Sequence, residues 1–76
     1  MKQKFEIIIA SVPDRDLPIV ELWYQKVQWA EISLQRGKTV VELYNNPSGQ
    51  AWQFEFNSFL NQILKAQKLV QKKIIS

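Results

Sequence analysis

The chain predicts an α+β fold: an antiparallel β-meander of about five strands packed on one C-terminal amphipathic helix, in a single domain over residues 1–76. Three observations carry that expectation. Short stretches that alternate apolar and polar residues recur up to Phe56, the period of strands with one buried face. The segments between them are short and rich in turn residues, which favours pairing of each strand with its sequence neighbour. From Phe59 the period changes. Phe59, Leu60, Ile63, Leu64, Ala66, Val70 and Ile74 fall in one helical stripe, with Asn61, Lys65, Lys68 and Lys72 opposite.

The first strand is read over 2–10, where Phe5, Ile7 and Ile9 alternate with Lys4, Glu6 and Ile8. Residues 11–18 carry two prolines and two aspartates and read as a loop. Residues 19–30 admit two readings. Asp16-Leu17-Pro18 could open a helix, but Ile19-Val20-Glu21-Leu22-Trp23-Tyr24 is rich in β-branched and aromatic residues, and a helix would bury no clean face. The hairpin reading gives strands at 19–24 and 28–35 with a turn at 25–27. Arg36-Gly37 is a tight-turn pair, and 39–44 is the next strand. Asn45-Asn46-Pro47-Ser48-Gly49 is a loop, 51–56 the fifth strand, and about 58–74 the helix, capped by Asn57 or Ser58. The expected core is Phe5, Ile7, Ile9, Val20, Leu22, Ala30, Ile32, Leu34, Val41, Leu43, Trp52, Phe54 and the helix stripe.

Composition removes several functions from view. The chain has no Cys and no His, so disulfides, thiolate sites and the commonest general base are absent. The serines have no partner base in the sequence, and Pro47-Ser48-Gly49 lacks the spacing and lysine of a phosphate-binding loop. The expectation is no enzyme, no cofactor and no metal site. The longest apolar run, Ile7 to Ala10, is far too short to span a bilayer. Met1-Lys2-Gln3-Lys4 leads into an amphipathic strand rather than a secretory leader. No membrane partner and a cytoplasmic location are therefore expected. The net charge of +3 sits in the helix: residues 60–76 hold four lysines and no acid, while residues 1–59 hold six cations and seven acids.

The meander also fixes what its outer face carries. A turn at Arg36-Gly37 sets Glu31 opposite Glu42 and Trp29 opposite Tyr44. A three-residue turn at 25–27 sets Glu21 opposite Glu31 and Trp23 opposite Trp29. Two cross-strand rows follow, Glu21–Glu31–Glu42 and Trp23–Trp29–Tyr44, with Ile8, Ile19 and Val40 on the same face. Aromatic neighbours across strands are often ordinary sheet packing, but clustered exposed aromatics also mark interfaces. Like charges directly opposite destabilise a sheet by up to about 1 kcal/mol, so the carboxylate row calls for compensation by a nearby lysine, a partner or a metal. A flat row converges poorly on a cation, which argues against the metal.

The succession Glu21-Leu22-Trp23-Tyr24, Trp29-Ala30-Glu31-Ile32, Val41-Glu42-Leu43-Tyr44, Pro47-Ser48-Gly49-Gln50-Ala51-Trp52-Gln53-Phe54 and Leu60…Leu64…Ala66 resembles a group of small uncharacterised bacterial proteins built as a β-meander ending in a helix. The resemblance implies that fold and, as in some similar domains, an immunity- or antitoxin-like role. It brings no catalytic motif. Two functions are expected from these observations. The first is a non-catalytic protein-interaction module, immunity-like or homodimeric, that binds through Trp23, Trp29, Tyr44, Glu21, Glu31 and Glu42. The second is a nucleic-acid-binding accessory protein using Lys65, Lys68 and Lys72, a basic stripe at helical spacing.

Overall fold

A computed structural model describes residues 4–11 and 17–75, with side chains described through Gln71. The elements are β1 (Phe5–Ala10), β2 (Ile19–Tyr24), β3 (Val27–Gln35), β4 (Lys38–Leu43) and α1 (Phe56–Ile75). The strands form one antiparallel sheet in the order β1-β2-β3-β4. The α+β class and the meander stand as expected, and residues 19–30 are hairpin rather than helix. Among the described residues the sheet has four strands, not five. The expected first-strand residues before Lys4 lie outside the described residues.

Residues 51–55 pair with no strand among the described residues. Trp52 and Phe54 turn inward while Ala51, Gln53 and Glu55 are exposed. The segment is anchored by side chains: Trp52 Nε1 donates to the Tyr44 carbonyl at 3.0 Å. Period-two alternation reports an extended chain with one buried face. It does not report a strand partner, and among the described residues no strand pairs with this segment.

Both hairpins close with two residues at positive φ: Gln25 (48°) and Lys26 (66°) between β2 and β3, and Arg36 (54°) and Gly37 (79°) between β3 and β4. This is the twist-matched hairpin turn, and only one of the four positions is glycine. The first turn is thus a residue shorter than the sequence suggests, and a bulge makes up the difference. Leu22 pairs with Ala30 but Trp23 pairs with Gln28, which leaves Trp29 as the extra residue of β3. Glu21 therefore still faces Glu31, and Glu31 faces Glu42.

The helix lies mainly over β2 and β3 and reaches β1. Ala66 and Val70 are buried against Val20, Leu22, Trp29, Ala30 and Ile32, with Phe59 and Ile63 packed beside them. Fully buried Ala66 lets the helix axis come close to the sheet. At the end where residues 51–55 cross, Phe54 is the centre of an aromatic cluster. Its ring lies 4.8 Å from Trp29, 5.0 Å from Tyr24, 5.2 Å from Phe5 and 5.5 Å from Trp52.

The helix begins earlier than Asn57 or Ser58, and its cap is a glutamate. The Glu55 carbonyl accepts the Phe59 N–H at 3.0 Å, the first helical hydrogen bond. The Glu55 carboxylate folds back to accept the N–H groups of Asn57 (3.0 Å) and Ser58 (2.9 Å), and the Ser58 hydroxyl (2.9 Å). Two of the unpaired donors of the first turn are thereby satisfied, and the negative charge sits at the positive end of the helix dipole.

Candidate interaction surfaces

The outer face of the sheet, away from the helix, carries Glu21, Trp23, Glu31 and Glu42 as expected, with Tyr44 just beyond β4. The carboxylate row is present in register. Two neighbouring aromatic side chains help to compensate it. Trp23 Nε1 donates to Glu21 Oε1 at 3.0 Å, and the Tyr44 hydroxyl donates to Glu31 Oε1. Glu31 is only 8% exposed, and Ile19 and Ser33 beside it are buried, so the centre of this face is closed. Glu42, on the edge strand, is exposed, and among the described residues no donor reaches it. Three or more acidic side chains grouped to hold a cation do not occur among the described residues.

The aromatic row is not formed. Trp29 is 2% exposed and sits inside the core, its ring 4.8 Å from Phe54 and 5.6 Å from Phe59. The bulge is the reason: the extra residue breaks the alternation, so that Trp29 and Ala30 both turn toward the helix. Trp23 is opposed by Gln28 instead. The expectation that Trp29 shares a face with Trp23 and Tyr44 is corrected on this point.

The helix side of β4 supplies a surface that the residue pattern placed in the core. Val41 is 50% and Leu43 69% exposed, and Ile9 on the opposite edge strand is exposed as well. The cause is geometric. A helix with its side chains is about 10–12 Å across, whereas four strands at about 4.8 Å spacing span about 14 Å between their outer axes. One helix placed over β2 and β3 leaves an edge uncovered, and here that edge is β4. Counting strands against one helix is the signal that could have revealed it from the sequence. Phe56, Leu60 and Leu64, on the flank of the helix, are also exposed.

Lys65 and Lys68 are exposed on the outer side of the helix, and the side chain of Lys72 lies outside the described residues. Lys65 and Lys68 lie on the opposite side of the molecule from Trp23, and Trp29, 2% exposed, has no accessible ring face on which a base could stack. An open depression of about 330 Å³ beside the first turn is lined by Tyr24, Asn46, Ser48 and Trp52 among others, and the lining includes no acid and no lysine. Within the loop above it, the Ser48 N–H donates to Asn46 Oδ1 at 3.1 Å and the Gly49 N–H to the Asn46 carbonyl at 3.0 Å. Gly49 takes a φ of 82°, which its lack of a side chain permits. Among the described residues, no helix is long and apolar enough to cross a membrane. No family model, no curated protein and no solved structure matches the chain.

Proposed function

We propose that the chain is a small non-catalytic protein-interaction module that binds through strand β4 and the surface on either side of it. One observation carries this reading: Leu43 and Val41 stand open to solvent on an edge strand, at positions where the alternation of the sheet would otherwise bury them. Exposed apolar side chains grouped on one strand are a common mark of an interface. On the other face of the same strand, Glu42 and Tyr44 supply a polar border, and Trp23 and Glu21 continue it across β2. This retains the outer-face residues as the rim of a contact and moves its apolar centre to the helix side of β4. A partner of the immunity or antitoxin kind and a second copy of the chain both suit such a surface. Lys65 and Lys68 of the basic stripe lie on the side of the molecule away from Trp23, so the geometry favours the interaction reading over the nucleic-acid one.

The test is a photoreactive phenylalanine analogue in place of Leu43, activated in the cells that make the protein. A discrete protein adduct, lost when Val41→Ser is added, is the expected outcome. A surface substitution such as Leu43→Ser should shift unfolding free energy by no more than about 0.5 kcal/mol. Absence of any discrete adduct, or loss of the fold in Leu43→Ser, would overturn the reading.

A further inference from the structure

β4 is an edge strand with no bulge in its pairing to β3, no proline and one lysine. Such an edge lacks most of the features that prevent strands from adding to it. Its polarity is fixed by the bonds it already makes. The Tyr44 N–H donates to the Trp29 carbonyl at 3.0 Å. Since alternate residues of an antiparallel strand bond to the same neighbour, Tyr44, Glu42, Val40 and Lys38 direct their backbone groups to β3. Thr39, Val41 and Leu43 direct theirs to the open edge.

Resting on the proposed interaction role of β4, we propose that its occupant is a second copy of this chain, joined β4 to β4 about a two-fold axis at Val40. An antiparallel partner must match faces and must oppose edge-facing residues with edge-facing residues. Both conditions are met when the axis passes through a residue of the strand. Charge then selects among the possible axes. An axis at Val40 sets Lys38 opposite Glu42 of the other copy, twice, with Val40 against Val40 between them. An axis at Val41 places Glu42 against Val40, and one at Glu42 brings the two glutamates face to face. In the Val40 register Thr39 and Val41 exchange backbone hydrogen bonds with their counterparts. Lys38 and Glu42 occupy the non-hydrogen-bonded positions, where side chains approach most closely. The lysine of one copy thereby meets the exposed end of the Glu21–Glu31–Glu42 row of the other. On the helix side, the uncovered Val41 and Leu43 of both copies form one apolar strip within a continuous eight-stranded sheet.

Sedimentation equilibrium of the purified chain at low ionic strength tests this. The wild type should be dimeric. Lys38→Glu and Glu42→Lys, each alone, should weaken the dimer about tenfold, because each creates two like-charged pairs. An equimolar mixture of the two singly reversed chains should restore a dimer, since each then meets its complement, and the double reversal should restore it within one chain. Val41→Pro, which removes an N–H directed at the open edge and none directed at β3, should give a monomer with the helix and sheet retained by circular dichroism. A wild type that stays monomeric, or a dimer indifferent to both charge reversals, overturns self-pairing. A monomer that still gives a discrete adduct with a different protein at position 43 overturns self-pairing alone. A monomer with no adduct overturns the interaction role as well.

Discussion

Trp29 shows how much one inserted residue can change. Its ring is surrounded by Phe5, Phe54 and Phe59, yet its Nε1 is buried with no hydrogen-bond partner. Trp52, by contrast, gives its Nε1 to the Tyr44 carbonyl. Truncating a core aromatic costs about 3–5 kcal/mol, and a buried unpaired donor about 1–3 kcal/mol. Trp29→Ala should therefore fall in the first range. Trp29→Phe should cost far less, because it removes the unpaired N–H along with part of the ring. Urea unfolding of the two variants measures the difference. Equal losses would mean that the N–H is satisfied in solution. The alternating pattern of β3 places Trp29 on the outer face, and no residue type near it signals the bulge. The information was present only as a mismatch of one between turn length and register.

At the scale of elements, the two turns make a matched comparison. Arg36-Gly37 is readable because glycine accepts positive φ without strain. Gln25-Lys26 is not readable, because two residues with side chains hold the same conformation, which costs each about 1–2 kcal/mol relative to glycine. Replacing Gln25-Lys26 with Asn-Gly should stabilise the hairpin by about 1 kcal/mol, a rise in Tm of about 4–8 °C for a domain of this size. Scanning calorimetry of the double variant checks it, and an unchanged or lower Tm would show that the native pair contributes something the backbone angles do not account for. The hydrophobic period located all four strands and the helix, because burial imposes that period. It also suggests a fifth strand at 51–56, because burial of Trp52 and Phe54 gives the same alternation with no strand partner among the described residues. The helix start was displaced because a glutamate, long enough to fold back, does the work usually assigned to Asn or Ser.

For the molecule as a whole, the helix cap has global reach, since α1 packs on β1, β2 and β3. The hydrogen bonds from the backbone of Asn57, then from the backbone and hydroxyl of Ser58, hold the Glu55 carboxyl below its usual range. A group whose native pKa is lowered stabilises the fold above its unfolded pKa, near 4.3 for glutamate, and loses that contribution as pH falls through the lowered native value. The Tm of the wild type should accordingly exceed that of Glu55→Gln at neutral pH, and the gap should narrow in acid within that window. A gap independent of pH would show that the charge of Glu55 is not what caps the helix. Of the candidate site, the glutamate row was legible, because it depends on one well-signalled turn. The open side of β4 was not, because exposure there follows from the width of a helix relative to a sheet, which no local pattern contains.

The sequential strand order also has a consequence in time. Each strand pairs with the one before it in the chain, so the sheet can assemble by closing short loops, on the microsecond scale of hairpins, about 1–10 μs. Only the return of residues 51–75 across the sheet closes a long loop, and its reward is the meeting of Phe54 with Phe5 from the far end of the chain. The expected order puts that contact after the rate-limiting barrier, which the folding and unfolding rates of Phe54→Leu would check. Weakening it should hasten unfolding while leaving the folding rate nearly untouched. The aromatic cluster is then the protein's clasp, setting how long the fold lasts and not how fast it forms.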